Sequence, residues 1–179
     1  HSHWRLSMLY FAIAQILLML YVVFMLVGFL RHHREHMPQL NSLGWQPIED
    51  GVLIVVPAKD EEESVTACLE GLTHLNGIAR YQVMAVNDRS TDQTLTRMRE
   101  VERKHPGRIE AVDIRELPAG WLGKNHACWT GAQRGFESMP DAKYILFTDG
   151  DVKFHPDSLA EAISWMKREN IDFMSLLEE

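Results

Sequence analysis

Four short clusters hold most of the side chains that could do chemistry: PAKDEEE (57–63), NDRSTDQT (87–94), LPAGWLGKNHACWTGA (117–132) and TDGDVKF (148–154). The triplet Asp149-Gly150-Asp151 is the sharpest of them. Two carboxylates this close repel and raise each other's pKa unless a cation joins them. Mg²⁺ or Mn²⁺ suits such a place, because it prefers a few carboxylate oxygens completed by substrate phosphates. A plain Asp-Gly turn is the structural alternative. Lys124, beside glycines at a helix start, has the chemistry to hold a diphosphate together with backbone N–H groups. A solvated surface lysine is its alternative, and the spacing is not that of a P-loop. Glu61 to Glu63 and Asp92 read either as site groups or as first-turn charges favoured by a helix dipole. Asn87-Asp88 likewise suits a turn. His126 and Cys128 lack further ligands at metal spacing and read as packing, as do Trp121 and Trp129, for which a sugar platform is the second reading.

The elements that must position these clusters alternate in type. Val52–Val56 is a continuous β-branched run, as expected of a strand buried on both faces. Tyr81–Val86, Ile109–Ile114, Tyr144–Thr148 and Ile171–Leu177 read as four further strands. Between them lie helical patterns. Val65, Leu69, Leu72 and Leu75 form one stripe, and Leu95, Met98 and Val101 another. A third helix is expected over 125–136, and a fourth carries Leu159, Ala162, Ile163 and Met166. Ser90 with Gln93, and Ser158 with Glu161, have capping-box spacing. Such alternation predicts an α/β fold with a mostly parallel sheet and flanking helices. The polar clusters then fall at the C-terminal strand ends, where open α/β sheets collect ligands. No Gly-x-Gly-x-x-Gly follows the first strand and no Gly-x-Ser-x-Gly occurs, which disfavours dinucleotide oxidoreductases and α/β hydrolases.

The 179 residues carry a net charge of −7, and the distribution is uneven. Residues 8–30 contain no charged side chain, whereas 31–179 hold 17 Lys and Arg against 25 Asp and Glu, a net of −8. An acidic surface of this kind is a poor partner for nucleic acid. The apolar run has the length of a transmembrane helix, about 20 residues, and lacks the small-residue cleavage site of a signal peptide. Residues 31–50, with Pro38, Asn41, Gly44 and Pro47, read as a juxtamembrane linker, and 51–179 as one domain. Arg31 and Arg34 after the run, against Arg5 before it, place the domain on the cytoplasmic face by the positive-inside rule. Two cysteines 60 positions apart support neither a disulfide framework nor a four-ligand zinc site.

Taken in order, VVPAKDEEE, VNDRSTDQT and FTDGDV resemble the motifs of family 2 glycosyltransferases with the GT-A fold, from about Val52 to the end of the chain. LPAGWLGKNHACWTGA followed by TDGDVKFHPDSL is most similar to the membrane-bound branch that includes hopanoid- and carotenoid-associated transferases. Asp60 stands where that family has Asn, and Asn87 replaces the first of two aspartates. The resemblance implies a nucleotide-sugar donor bordered by Pro57, Ala58 and Glu61. It implies that Asp88, assisted by Asn87, contacts the base and that Lys124 neutralises the diphosphate. Asp149 would face the ribose or sugar side, and Asp151 would bind Mn²⁺ or Mg²⁺. It further implies an inverting transfer, with the anchor favouring a lipid acceptor.

The family's acceptor half, which supplies the carboxylate base, has no counterpart before residue 179. The expectation is therefore a donor-binding portion whose general base lies beyond this sequence. The alternative is a non-catalytic, membrane-tethered nucleotide-sugar-binding module. A nucleotidyltransferase is less favoured, for want of a glycine-rich turn after the first strand.

Overall fold

The computed structural model describes residues 13, 15–28 and 44–175, and the chain divides into two units, residues 1–39 and 40–179. In the first unit, residues 15–28 are helical and exposed throughout. No helix among the described residues is long and apolar enough to cross a membrane. The expected span over 8–30 extends past that stretch, and residues 8–12, 14, 29 and 30 lie outside the described ones. Residues 31–43 of the expected linker lie outside them too.

The second unit is built on four parallel strands: β1 (Gly51–Ala58), β2 (Tyr81–Asp88), β3 (Ile109–Ile114) and β4 (Ala142–Phe147), in the order β3-β2-β1-β4. The helices α1 (Val65–Leu72), α2 (Thr94–Lys104), α3 (Gly123–Ser138) and α4 (Ser158–Glu169) make the connections or follow the last strand. All eight residues of β1 are buried, as a central parallel strand covered on both faces requires. Side chains of β1 alternate between two cores. Val52, Ile54 and Val56 join α1, α2 and α4 in the larger one, with Leu69, Met98 and Ile163. Val55 meets Met84, Val86 and Ala127 under α3 in the smaller one.

The seat of α3 depends on its small residues. Ala127, Gly131 and Gly135 form its buried stripe. A Cβ on Gly131 would stand 2.5 Å from Val55 and 2.8 Å from Val86, so the helix lies closer to the sheet than any larger residue permits. The helix covers β1 and β2 and leaves part of β4 bare. Ile145 and Phe147, paired in register with Leu53 and Val55, remain exposed.

Three expectations are corrected here. Residues 171–175 form no strand; they follow Asn170, whose left-handed backbone (φ 55°) ends α4, and Phe173 is 82% exposed, with no strand beside it among the described residues. Residues 176 and 177 lie outside the described ones. Neither capping box forms, because α2 starts at Thr94 and α4 at Ser158, each without a side-chain cap. Part of the expected linker belongs to the domain. Ile48 is 1% exposed, its N–H donates to the Gly77 carbonyl (2.7 Å), and Trp45 packs on the larger core.

Candidate active site at the switch point of the sheet

The chain leaves β1 toward β2 on one side and later returns to place β4 on the other. The strand order therefore reverses between β1 and β4, the point where open α/β sheets form a ligand crevice. Pro57 and Ala58 end β1 there, both buried. The β1–β4 ladder finishes at Thr148 N–H donating to the Val55 carbonyl (3.1 Å). Pro57 lies one step beyond, so its missing N–H removes no bond from that ladder.

The loops after β1 and β2 are tied to each other. Asp60, at φ 55°, presents Oδ1 to the Thr91 N–H (2.7 Å), and its own N–H donates to Ser90 Oγ (3.0 Å). The Glu61 N–H donates to Thr94 Oγ1 (2.8 Å), and the Glu62 N–H to Asp92 Oδ2 (3.1 Å). In return the Gln93 N–H donates to Glu62 Oε2 (2.8 Å). The Ser90 hydroxyl and the Gln93 backbone N–H, from two residues with capping-box spacing, are thus spent across the two loops. Asp60, which departs from the family's Asn, serves as a loop tie.

This frame aims Glu61 at the end of β4. Burial raises the Glu61 carboxyl above its ordinary value, and the nearby charges of Asp151 and Asp149 raise it further, with Lys124 opposing. Its Oε2 is buried without a hydrogen-bond partner among the described residues. Gly150 makes the approach possible: a Cβ there would collide with Glu61 Oε2 and stand 2.9 Å from Ala58 Cβ. Lys124, in the first turn of α3, places Nζ 2.6 Å from Asp149 Oδ1. That bond raises the Lys124 ammonium above its usual range. Glu61, Lys124, Asp149 and Asp151 therefore form one electrostatic cluster. Cys128 lies beside it, its thiol pushed up by burial, with Lys124 opposing and Asp149 adding. Cys68 Sγ donates to the Asp149 carbonyl (3.5 Å).

Asp88 and Asn87 end β2 in a second group. Asp88 accepts from Arg89 Nε (2.8 Å), and Gly123 packs on both, since a Cβ there would be 2.5 Å from Asp88 Oδ2. Gly123 precedes Lys124, so the start of α3 joins the two groups. Asn87 is 3% exposed and donates from Nδ2 to Asp113 Oδ1 (2.9 Å) on β3. An aspartate at this position would face the Asp113 carboxylate, which gives a physical reason for the amide. Arg89 went unrecognised in the sequence. Its signal was modest: a cation directly after a strand-end acid. Trp121 stacks edge-on to His126 (5.3 Å) and near Trp129 (6.3 Å), with both tryptophans exposed.

Among the described residues no three His, Cys, Asp or Glu side chains converge to hold a metal by themselves. The cluster nonetheless suits a hard divalent cation completed by phosphates. Its donors are all carboxylate oxygens, one buried oxygen lacks a partner, and Asp149 already holds a cationic group.

Comparison with known proteins agrees with this fold. No curated protein matches the chain significantly. Among solved structures, the chain is similar to the mannosyltransferase PcManGT from Pyrobaculum calidifontis in complex with GDP-Man and Mn²⁺. The identity is 23% and the TM-score 0.59, over 79% of this chain and 39% of that one. S. aureus TarS 1-349 matches at 19% identity and TM-score 0.54, over 72% of this chain and 38% of that one. Its complex with UDP-GlcNAc matches at 19% and 0.53, over 72% and 37%. The chain thus spans about two fifths of the length of these structures. The profile of glycosyl transferase family 2 matches residues 53–175, most of the chain, and the protein belongs to that family.

Proposed function

We propose that this domain is the donor-binding part of a glycosyltransferase that takes a sugar from a nucleotide-sugar. The observation that carries the reading is the cluster of Glu61, Lys124, Asp149 and Asp151 at the sheet's switch point, in a chain of this family. Pro57, Ala58 and Glu61 border the nucleotide, and Asp88, steadied by Arg89 and flanked by Asn87, faces the base. Lys124 and the N-terminal amides of α3 take the diphosphate, Asp149 faces the ribose or sugar, and Asp151, with Asp149, holds Mg²⁺ or Mn²⁺. When bound, that ion supplies Lewis-acid stabilisation of the departing nucleoside diphosphate. Lys124 adds a positive charge where the leaving group gains negative charge. The bare apolar face of β4 at Ile145 and Phe147 supports a further packing layer that carries the acceptor site and its general base.

The same proposal includes a membrane anchor over residues 8–30, the domain on the cytoplasmic face, a lipid acceptor, inversion at the anomeric carbon, and kinship with the hopanoid- and carotenoid-associated branch. The exposed, uncharged residues 15–28 support the anchor. Thermal unfolding tests the donor reading. UDP or GDP with Mn²⁺ at a hundred times its Kd should stabilise the fold by about 2.7 kcal/mol, and Asp151→Ala should abolish the effect. No protection by any nucleoside diphosphate or nucleotide-sugar refutes it. Hydrolysis or transfer of the donor sugar separates the enzyme from a non-catalytic binding module.

A further inference from the structure

Lys124 extends from the first turn of α3 to Asp149, beyond the end of β4, and closes a 2.6 Å ion pair. Its side chain is 63% exposed and that of Asp149 is 50% exposed. An ion pair this open adds little to folding, so its significance lies in what it occupies. The ammonium sits on Oδ1 of the first carboxylate in the triplet, an oxygen that any cation entering the cluster would also approach. The charges of Asp149 and Asp151 reach Glu61 nearby, and the Lys124 ammonium acts on Glu61 and Asp149 alike.

A bound anion at the start of α3 would offer the ammonium a second partner. The first turn of α3 contains no acidic residue and no side-chain cap. Its leading N–H groups and Lys124 therefore favour an anion together.

We propose that Lys124 is the resident counter-ion of Asp149 and competes with a divalent cation for it, so that Asp149 becomes available to the metal only when a diphosphate draws the ammonium away. Lys124 thereby couples metal entry to nucleotide entry and suppresses binding of the metal alone. By linkage, the coupling is reciprocal: whatever factor the diphosphate contributes to metal affinity, the metal returns to diphosphate affinity. The inference rests on the donor-site reading above and adds an order to its ligands.

Titration of Mn²⁺ followed by the electron paramagnetic resonance of the free ion tests it directly. Wild type, Lys124→Met and Lys124→Arg are each titrated with and without UDP or GDP. Removing one positive charge about 4–5 Å from a divalent ion in a water-like medium, screened by about 0.1 M salt, sets the scale at about tenfold. K124M should bind Mn²⁺ alone about tenfold tighter than wild type, and the nucleotide should enhance its Mn²⁺ affinity correspondingly less. K124R should keep the wild-type pattern. Equal or weaker binding of Mn²⁺ alone by K124M, with nucleotide-dependent binding intact in wild type, overturns the coupling and leaves the donor site standing. Failure of wild type to bind Mn²⁺ with any nucleoside diphosphate overturns the donor-site reading, and this inference with it.

Discussion

Gly150 is the residue on which the arrangement of the carboxylate cluster depends most tightly, and Gly150→Ala is the perturbation that tests it. The added methyl would stand 2.9 Å from Ala58 Cβ and collide with the Glu61 carboxylate. Ala58 ends a strand that is buried along its whole length, so it has little room to yield. The Glu61 carboxylate is the mobile end of its side chain and can swing aside. Overpacking a close-packed site costs about 1–3 kcal/mol; with one flexible neighbour, the lower part of that range applies, about 1–2 kcal/mol. For a domain of this size, about 4 °C of Tm corresponds to each kcal/mol, so a fall of about 4–8 °C is expected. The displaced Glu61 and the shifted backbone between Asp149 and Asp151 should also weaken nucleotide binding in Mn²⁺ about tenfold, equivalent to about 1.4 kcal/mol. Thermal unfolding read by circular dichroism and calorimetric titration of UDP or GDP measure the two effects. A G150A protein with wild-type Tm and wild-type affinity would refute the close packing of Gly150 on Glu61.

Two further outcomes follow from the same geometry. Glu61 has a folded-state pKa above its ordinary value near 4.5, so its charged form opposes folding and the wild type loses stability as pH rises through the folded value. Glu61→Gln should therefore be more stable than wild type at pH 8, with the difference gone below pH 4.5; urea unfolding across that range checks it, and a difference independent of pH contradicts it. Asn87→Asp should set a second carboxylate against Asp113 across the 2.9 Å contact now made by the amide. The expected loss is about 1–3 kcal/mol at pH 7.5, shrinking toward pH 5 as one proton is shared. Urea midpoints at the two pH values measure it, and equal stability at pH 7.5 would count against the contact.

The strands were legible because their signal is local. The β-branched run of β1 and the apolar centres of β2, β3 and β4 fall where sequence patterning places them, within a few residues at each end. The polar clusters at their ends were legible too, since parallel topology forces strand termini to one edge. What escaped the sequence was every feature set by a partner distant in the chain. Ser90 has capping-box spacing, yet its hydroxyl oxygen accepts from Asp60, thirty residues away. Asn87 meets Asp113 only because β2 and β3 pair in that register. The apolar stretch after α4 has a strand-like composition, but a strand exists only where a neighbouring strand completes its hydrogen bonds, and residues 171–175 have no such neighbour among the described residues. The sequence separated Lys124 and Asp149 into different roles, a diphosphate contact and a sugar-side carboxylate. Folding joins them at 2.6 Å.

The central claim is that the crevice between β1 and β4 binds a nucleoside diphosphate through the carboxylates after β4. Isothermal titration of UDP and GDP into the protein, with and without Mn²⁺, beside Asp151→Ala, measures this most directly. The account predicts saturable, Mn²⁺-dependent binding of at least one nucleotide by the wild type and its loss in D151A. Absence of binding by both nucleotides, or binding that D151A leaves unchanged, would contradict it.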